Sequence, residues 1–330
     1  MGHQNRYIAS GAVHELCFRV REGLPFACIC LIELLIKSAL ARTGRDFKVR
    51  ISHMVWMGNH VHILIRAHDA DQCKKFYMEL QKKITDAIKR LLDVDRLILW
   101  ERRALVAPVL DKEKAIERII YFYLNPSKAH LVESISEYPG VSSWKEFLLA
   151  ESSVAAIHSE EIPWIRLPTI KKLKSRVLTV PEDRRLTNEL ISTATTTHTL
   201  TYAPNDWMVA FGISAPEEVN AINQEIQRRV KAGEELLCKE RAAQGRSVVG
   251  VYNLKRQPIL SSHKPKKRER KIFVLSSCPK RRVNYILEIK ALFQHCSSLF
   301  RKAKIGEIVT WPAGIFPPSI PPLCNALYRQ

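Results

Sequence analysis

The chain has 330 residues, 46% of them hydrophobic, with a formal net charge of +19 and a sequence pI near 9.7. This length is enough for one sizeable core and predicts two folded units. The charge favours a polyanionic partner such as nucleic acid, although a merely soluble basic protein would also carry it. The most apolar run, Phe26 to Ala39, contains Glu33 and Lys37 and is too short to cross a bilayer, so a membrane protein is not expected.

The first half of the sequence alternates short β-patterned stretches with longer amphipathic ones. We predict, in chain order, a strand at 12–20, a helix at 27–43 ended by Gly44, two strands within 47–67 with a turn near Met57 to Asn59, a helix at 69–92, a strand at 97–110, and a helix capped by Asp111. This order predicts an α+β fold, a ferredoxin-like split βαβ domain with an antiparallel sheet and one appended helix.

The second half carries weaker signals, and we divide the chain into three parts. Residues 1–150 form the sheet domain, 151–210 a linker with a threonine-rich, low-complexity connector, and 211–330 a mainly helical, basic C-terminal region. In that region Ser214-Ala-Pro-Glu217 has the pattern of a capping box and predicts a helix that extends to Ala243.

Two histidines stand two residues apart in the third predicted strand. Side chains alternate along a strand, so His60 and His62 share one face while Val61, Ile63 and Ile65 share the other. Such a pair is often only a pair of hydrogen-bonded polar residues, and zinc can also take histidines from one strand. The pair alone therefore does not identify a metal site.

A tyrosine helix about sixty residues later strengthens the metal hypothesis. Tyr121 and Asn125 are four residues apart, so they lie one turn apart on the same stripe of the helix. Pro126 disfavours continuing the helix past Asn125. A phenol, a carboxamide and two imidazoles can thus converge on one divalent cation.

Three motifs resemble those of the single-tyrosine HUH (His-hydrophobic-His) transposases. Met57-Gly-Asn-His-Val-His-Ile-Leu64 is similar to their Met-Pro-Asn-His-Val-His-Leu-Leu signature. Tyr121-Phe-Tyr-Leu-Asn-Pro-Ser-Lys-Ala-His-Leu-Val132 resembles their Tyr-Ile-His-Leu-Asn-Pro-Val-Arg-Ala-Gly-Leu-Val motif, and Tyr138-Pro-Gly-Val-Ser-Ser-Trp-Lys145 resembles the Tyr-Pro-Trp-Ser-Ser-Tyr segment that follows it. The order and spacing over residues 10–150 look like those of the REP-associated tyrosine transposases and their longer relatives.

The sequence departs from that pattern in two places. Gly58 stands where proline is usual, which changes backbone freedom but removes no ligand. The His-x-Thr-x-Arg pattern of the first strand is matched only loosely by Val13-His-Glu-Leu-Cys-Phe-Arg19, so His14 is not assigned a role. Of two candidate nucleophiles, motif register favours Tyr121, whereas Tyr123 is expected in the core.

The resemblance implies a metal-assisted endonuclease and strand transferase that acts on single-stranded DNA. His60, His62 and Asn125 would hold Mg²⁺ or Mn²⁺, and Tyr121 would attack the scissile phosphate to give a 5′-phosphotyrosine. A free tyrosine has a pKa near ~10, so nearby positive charge would be needed to favour its phenolate. The expected substrate is single-stranded DNA with hairpin-forming repeat ends.

Six basic residues are candidates for binding DNA phosphates. Trp100-Glu-Arg-Arg103 resembles a Trp-Gln-Arg-Arg stretch of the family, Lys128 follows the Asn-Pro pair, and the densest basic cluster is Lys264 to Lys271. The residues chosen are Arg102, Arg103, Lys128, Lys266, Lys267 and Arg268. For most of them a solvated basic surface is the alternative explanation.

The sequence also allows other functions, and it bears on the oligomeric state and cellular location of the protein. A domesticated DNA-binding protein that kept the fold without cleavage is the main alternative; a replication or mobilisation initiator and a zinc hydrolase are others. Some relatives exchange the tyrosine helix between subunits, so a monomer and a homodimer are both considered. Eight cysteines without a Cys-x-x-Cys pair and an amino terminus without a signal-peptide pattern predict a cytoplasmic, nucleoid-associated protein.

Overall fold

The computed structural model describes residues 7–101, 104–261 and 273–317. In these ranges the strands are β1 (Val13–Arg19), β2 (His53–Trp56), β3 (His60–Arg66), β4 (Leu105–Val109), β5 (His158–Pro163) and β6 (Thr197–Tyr202). The α-helices are α1 (Cys30–Phe47), α2 (Ala70–Leu92), α3 (Lys112–Lys128), α4 (Trp144–Leu148), α5 (Val180–Thr193), α6 (Pro216–Ala243), α7 (Val251–Leu254) and α8 (Pro279–Lys304). Among these helices, none has the length and apolar character needed to span a bilayer.

The first four strands form one antiparallel sheet in the spatial order β2-β3-β1-β4. Helix α1 connects β1 to β2, and α2 connects β3 to β4, which is the split βαβ arrangement. The predicted α+β, ferredoxin-like class with a mainly helical C-terminal region is therefore confirmed. Strand β3 lies in the middle of the sheet, between β2 and β1, as predicted.

The two faces of β3 pack against different sets of helices. Val61, Ile63 and Ile65 are fully buried in the core that includes α1 and α2. Each such side chain contributes about 1.5–3 kcal/mol relative to exposure. Leu64 lies in a second core with α3 residues, so His60 and His62, which share its face, point toward the α3 side. Alternation along one strand thus separates the site from the main core.

Helix α1 does not end at Gly44, as we expected. It continues to Phe47, which packs against the main core, and Lys48 closes it in the left-handed region with φ of 51°. A glycine costs only about 1 kcal/mol inside a helix, and packing of the next turn offsets that cost. The Val49 N–H donates to the Gly44 carbonyl, and a Cβ at position 44 would meet the Val49 oxygen at 3.3 Å, so the glycine permits this close return.

Helix α3 continues one turn beyond the position expected from its proline. Pro126 lies inside the helix, which ends at Lys128, and the Ala129 N–H still donates to the Asn125 carbonyl. The turn is stabilised from outside, because Ser127 is buried and its carbonyl accepts a hydrogen bond from Arg241 of α6. These tertiary contacts thus outweigh the tendency of proline to end a helix.

The range 151–210, predicted as a linker, contains regular elements instead. Strands β5 and β6 pair antiparallel, and Ile162, Leu190 and Leu200 belong to the main core together with α1 residues. The Asp183 carboxylate of α5 accepts hydrogen bonds from the Cys30 and Leu31 N–H groups at 2.8 and 2.9 Å. It therefore caps α1 from a distant part of the sequence.

The threonine-rich connector, residues 192–201, includes the end of α5 and most of strand β6. The residues of β6 alternate between outward threonines and buried side chains, namely Thr197, Thr199 and Thr201 against His198, Leu200 and Tyr202. Threonine is β-branched and suits a strand, so the repetitive composition concealed a pattern with a period of two residues.

Helix α6 packs along α3. Its buried stripe is Val219, Ile222, Ile226 and Val230, within the same core as α3 residues. At Gly233 an added Cβ would lie 2.7 Å from the Leu124 Cδ1, so the helices approach closely there. The predicted capping box is wrong, because the N-cap is Ala215 and makes no side-chain bond, whereas the predicted end at Ala243 is confirmed. The division into three domains stays a prediction.

Candidate active site

The two imidazoles lie side by side in the middle of the sheet. Their ring centroids are 5.2 Å apart. Across the ladder, Cys17 of β1 is the partner of His62 and Arg19 is the partner of His60. The flanking residue from β2 is Val55, which is paired with His62. The site is thus bordered by polar side chains on its β1 side and by an apolar one on its β2 side.

Each imidazole has its Nδ1 engaged by an oxygen acceptor. His60 Nδ1 donates to the Asn59 Oδ1 at 2.8 Å, and His62 Nδ1 donates to the Glu15 Oε1 at 2.8 Å. In a neutral imidazole bonded in this way, Nε2 carries the lone pair that can bind a metal. A carboxylate behind a ligating histidine is also the usual means of fixing its orientation.

Glu15 links the histidine pair to helix α3. Its carboxylate is almost fully buried and accepts two hydrogen bonds of 2.7 Å from the Arg118 guanidinium. Burial raises the pKa of Glu15, but hydrogen bonds from His62 and Arg118 outweigh it and lower the pKa below its ordinary value. Glu15 is therefore an ionised carboxylate paired on two sides.

The two imidazoles differ in protonation. Burial, with the charges of His62 and Arg19, lowers the pKa of His60 to about 3, so its ring is neutral. Burial also lowers the pKa of His62, but the Cys17 and Glu15 side chains offset it and raise that pKa above its ordinary value. A cation at His62 must therefore replace a proton that Cys17 and Glu15 stabilise.

Tyr121 faces this site from α3. Its ring meets the His62 ring edge to face, with 5.5 Å between centroids. The Arg118 guanidinium carbon lies 4.1 Å from the Tyr121 ring centroid and the Lys128 ammonium 5.2 Å from it. Burial, together with the charge of Arg118, lowers the pKa of Lys128. The phenol thus lies among several basic groups.

Tyr123 belongs to the core, as expected. It is fully buried, and its hydroxyl is hydrogen-bonded to His53 Nδ1 at 2.7 Å and to the Ser143 hydroxyl at 3.1 Å. Burial raises its pKa far above the ordinary value for tyrosine. Of the two tyrosines, the structure therefore places only Tyr121 beside the imidazoles.

Asn125 lies one turn beyond Tyr121 and is buried, and its Nδ2 has no hydrogen-bond partner. A flip of the carboxamide, which exchanges its nitrogen and oxygen, would place the oxygen where Nδ2 now lies. Across the described ranges, no three His, Cys, Asp or Glu side chains are grouped so that they could hold a metal ion. A cation on His60 and His62 would therefore need oxygen ligands from this amide, from water or from a phosphate, which suits Mg²⁺ or Mn²⁺.

Sequence reasoning missed Glu15 and Arg118. The spacing of Glu15, Cys17 and Arg19 places them on one face of β1, and Arg118 precedes Tyr121 by one helical turn. His14 points to the opposite face, where burial lowers its pKa to about 4. The predicted DNA-binding residues Arg102, Arg103, Lys266, Lys267 and Arg268 lie outside the described residues; Lys128 lies at the site.

Comparisons with known proteins give one likeness. No protein-family model matches the chain, and no curated protein matches it. The chain is similar to a solved structure of a REP-associated tyrosine transposase bound to a REP hairpin, at 19% sequence identity and a TM-score of 0.39. The match covers 45% of this chain and 86% of the other. At such values we infer a function from the residues of the site alone.

Proposed function

We propose that this chain nicks and rejoins single-stranded DNA, with Tyr121 as the nucleophile and Mg²⁺ or Mn²⁺ as the cofactor. The main observation in support of the proposal is that the Tyr121 ring lies against the His62 ring and beneath the Arg118 guanidinium. Positive charge beside a phenol stabilises the phenolate, which is the nucleophilic form. The net charge of +19 suits a DNA partner.

His60, His62 and Asn125 would hold the cation. When bound at such a site, Mg²⁺ or Mn²⁺ supplies polarisation of a non-bridging phosphate oxygen and offsets charge that develops around phosphorus. Asn59 and Glu15 orient the two imidazoles through their Nδ1 atoms. Arg118, which Glu15 holds by hydrogen bonds, and Lys128, whose ammonium lies near the Tyr121 ring, would neutralise the phosphate beside the phenol.

The proposed step conserves phosphoester bonds. The Tyr121 Oη attacks phosphorus, a bond between phosphorus and Tyr121 forms, and the bond to the 3′-oxygen breaks. The phenol loses its proton and the leaving 3′-oxygen gains one, so there is no net proton change. Because the energy of the ester is retained in the 5′-phosphotyrosine, another 3′-hydroxyl can reverse the step and join strands without ATP.

A binding protein without cleavage activity is the second candidate. The observation in its favour is the buried pair between His62 and Glu15, which stabilises the protonated imidazole and so competes with a metal. Gly58, in the turn before His60, also departs from the resemblance noted in the sequence. If the chain is such a binding protein, it should bind single-stranded DNA tightly and form no covalent product in the presence of any divalent ion.

The test is a covalent-adduct assay with the full chain. Single-stranded oligonucleotides carrying hairpins from its own locus are labelled at either end and incubated with Mg²⁺ or Mn²⁺, and the products are separated under denaturing conditions. We expect the 3′-labelled fragment to stay on the protein and the 5′-labelled fragment to be released with a free 3′-hydroxyl.

Two variants locate the nucleophile. Tyr121→Phe should abolish the adduct, and Tyr123→Phe should retain it. Because Tyr123 is buried and hydrogen-bonded, its variant is assayed below the temperature at which circular dichroism detects unfolding. An adduct that persists in Tyr121→Phe would overturn the assignment.

A further inference from the structure

One short segment of the C-terminal region is hydrogen-bonded at its start to the residues that follow α3 and at its end to Leu24. At its start, the Val249 and Gly250 N–H groups donate to the His130 and Leu131 carbonyls, just beyond the end of α3. At its end, the Leu24 N–H donates to the Ser261 carbonyl and the Leu260 N–H to the Leu24 carbonyl. We call residues 249–261 the crossing segment.

The crossing segment comes close to the turn that precedes His60. The Leu24 side chain lies against Gly58, where an added Cβ would meet the Leu24 Cδ2 at 3.3 Å. The N–H of Phe26 donates to the Gly58 carbonyl. The segment is also anchored from within, since Leu254 and Ile259 are buried in the two cores. Its backbone is therefore held between the residues that follow α3 and Leu24, which packs against the turn before His60.

This segment forms most of an open cavity of about 470 Å³. Leu131 also lines it, three residues after α3 ends at Lys128, whose ammonium lies 5.2 Å from the Tyr121 ring centroid. The volume is in the range of sites that hold small ligands, about 300–1,000 Å³. It is large enough for one nucleotide.

The lining of the cavity suits a nucleobase. Tyr252 is 68% exposed, although it is a large aromatic side chain, and the Arg256 guanidinium carbon lies 4.8 Å from its ring centroid. Arg256 also donates a hydrogen bond to the Tyr252 hydroxyl, which orients the pair. Asn253 and Gln257 add amide groups, and none of the described residues that line the cavity is acidic.

Aromatic and guanidinium planes stack on bases, and amides bond to base edges. The Asn253 Nδ2 donates to the Val249 carbonyl and the Gln257 Nε2 to the Ser261 hydroxyl, which leaves the two amide oxygens as the acceptors for a base edge. A purely apolar ligand would use neither these oxygens nor the Arg256 guanidinium, whereas an acidic peptide would make no use of an exposed ring beside a guanidinium. A base with its attached phosphate uses all four groups.

We propose that this cavity is a subsite for one unpaired nucleotide of single-stranded DNA, adjoining the scissile phosphate, with its base stacked on Tyr252. The inference deepens the proposed function and rests on it for the identity of the strand. Arg256 covers the Tyr252 ring edge and pairs with the phosphate, and Asn253 and Gln257 face the base edge. The crossing segment thereby couples strand binding to the position of α3.

The test measures DNA binding in a cleavage-inactive background. Full-length Tyr121→Phe protein is titrated against a fluorescent hairpin oligonucleotide with a single-stranded flank at about 0.1 M salt, because the affinity depends on salt. We expect Tyr252→Ala to weaken binding about 10-fold, within a range of about 5- to 150-fold expected for one stacked base. Tyr252→Phe should restore it, because the ring is kept.

A matched control removes another exposed aromatic side chain. Phe273 is 51% exposed and lies outside the cavity, so Phe273→Ala should leave the affinity within twofold. 2-Aminopurine placed at successive positions of the flank should be quenched at one position, and only in proteins that retain the ring at 252. An equal loss on fully paired duplex DNA would overturn the proposal, because a phosphate contact would explain it.

The subsite and the proposed function can fail separately. An unchanged affinity for Tyr252→Ala, with no position of 2-aminopurine quenched, overturns the subsite even if the covalent adduct forms. A Tyr252-dependent affinity without any adduct supports the subsite and leaves the binding-only candidate as the function. Both measurements use the same oligonucleotide.

Discussion

Glu15 accepts a 2.8 Å hydrogen bond from Nδ1 of His62, although the two residues are 47 positions apart in the sequence. The pairing of β1 with β3 brings them together on the α3 face of the sheet. The same carboxylate receives both hydrogen bonds from Arg118, so it connects the imidazole pair to the helix that carries Tyr121. The positions of both His62 and Arg118 therefore depend on Glu15.

Glu15→Gln should weaken binding of Mn²⁺ to the protein about 10- to 100-fold. Glutamine can still accept a bond from His62, but it cannot supply the charge that fixes that ring and Arg118 together, and loss of such an outer partner typically has this effect. Isothermal titration with Mn²⁺ measures it without DNA. Glu117→Gln, which alters an exposed carboxylate paired with Lys114, is the control and should not change the affinity. An unchanged affinity for Glu15→Gln would show that this carboxylate does not support a metal.

The local patterns of the sequence were sufficient to predict the sheet around the histidines. The period of two residues in β3 placed Val61, Ile63 and Ile65 in the core and His60 on the other face, and the Gly-Asn turn set the start of the strand. The prediction that Tyr123 lies in the core is confirmed. These features depend on residues that are neighbours in the sequence.

Several of the features that were missed depend on distant partners. Nothing near Glu15 indicates that Arg118 and His62 will satisfy its charge, and nothing near Cys30 indicates a cap from Asp183. Pro126 remains inside α3 because Arg241 bonds to the carbonyl of Ser127. Local rules failed wherever a tertiary contact outweighed a preference of about 1–3 kcal/mol.

Arg118→Met should slow adduct formation at saturating DNA about 100-fold. Methionine keeps much of the side-chain length but removes the charge above the Tyr121 ring, and loss of one preorganised electrostatic group commonly costs about 10²–10³ in rate. The rate is read from a time course of the denaturing gel. Arg228→Met, which removes an exposed arginine paired with Glu225, should react at the rate of the unaltered protein.

Arg118→Met also leaves the buried Glu15 carboxylate without its guanidinium partner. A loss of stability must therefore be distinguished from a loss of chemical reactivity. Breaking a buried ion pair costs about 3–5 kcal/mol. The double variant Arg118→Met, Glu15→Gln removes both charges and should recover most of the free energy of unfolding while the adduct stays slow. If the adduct recovers with the stability, Arg118 acts only through the fold.

Stability should fall below neutral pH because of His53. This imidazole is fully buried, and burial lowers its pKa to about 3 from an ordinary value of 6.5. Since the folded pKa is the lower one, the unfolded chain takes up the proton first. The stabilisation is complete above pH 6.5 and is lost progressively as the pH falls toward 3.

Between pH 7 and pH 5 this histidine alone should reduce the free energy of unfolding by about 2 kcal/mol, at 1.36 kcal/mol per pH unit below 6.5. Urea titrations at the two pH values measure the difference, and His53→Gln should show a dependence shallower by that amount. His53→Gln also loses the hydrogen bond to Tyr123, which lowers stability equally at both pH values. An identical pH dependence for both proteins would contradict a neutral buried ring.

The last prediction concerns whether α6 folds with the sheet domain or apart from it. Ile226 is fully buried, and its core also contains Ile119 and Phe122 of α3. Ile226→Ala should lower the free energy of unfolding by about 2–5 kcal/mol, and Leu236→Ala, which alters a side chain 57% exposed on the same helix, should change it by less than about 0.5 kcal/mol. Because α6 and α3 share one core, near-UV and far-UV signals should shift together in a single transition. An early transition confined to helical signal, with the sheet unaffected, would instead mean that residues 211–330 fold as a unit of their own, and that the position of Tyr121 does not depend on them.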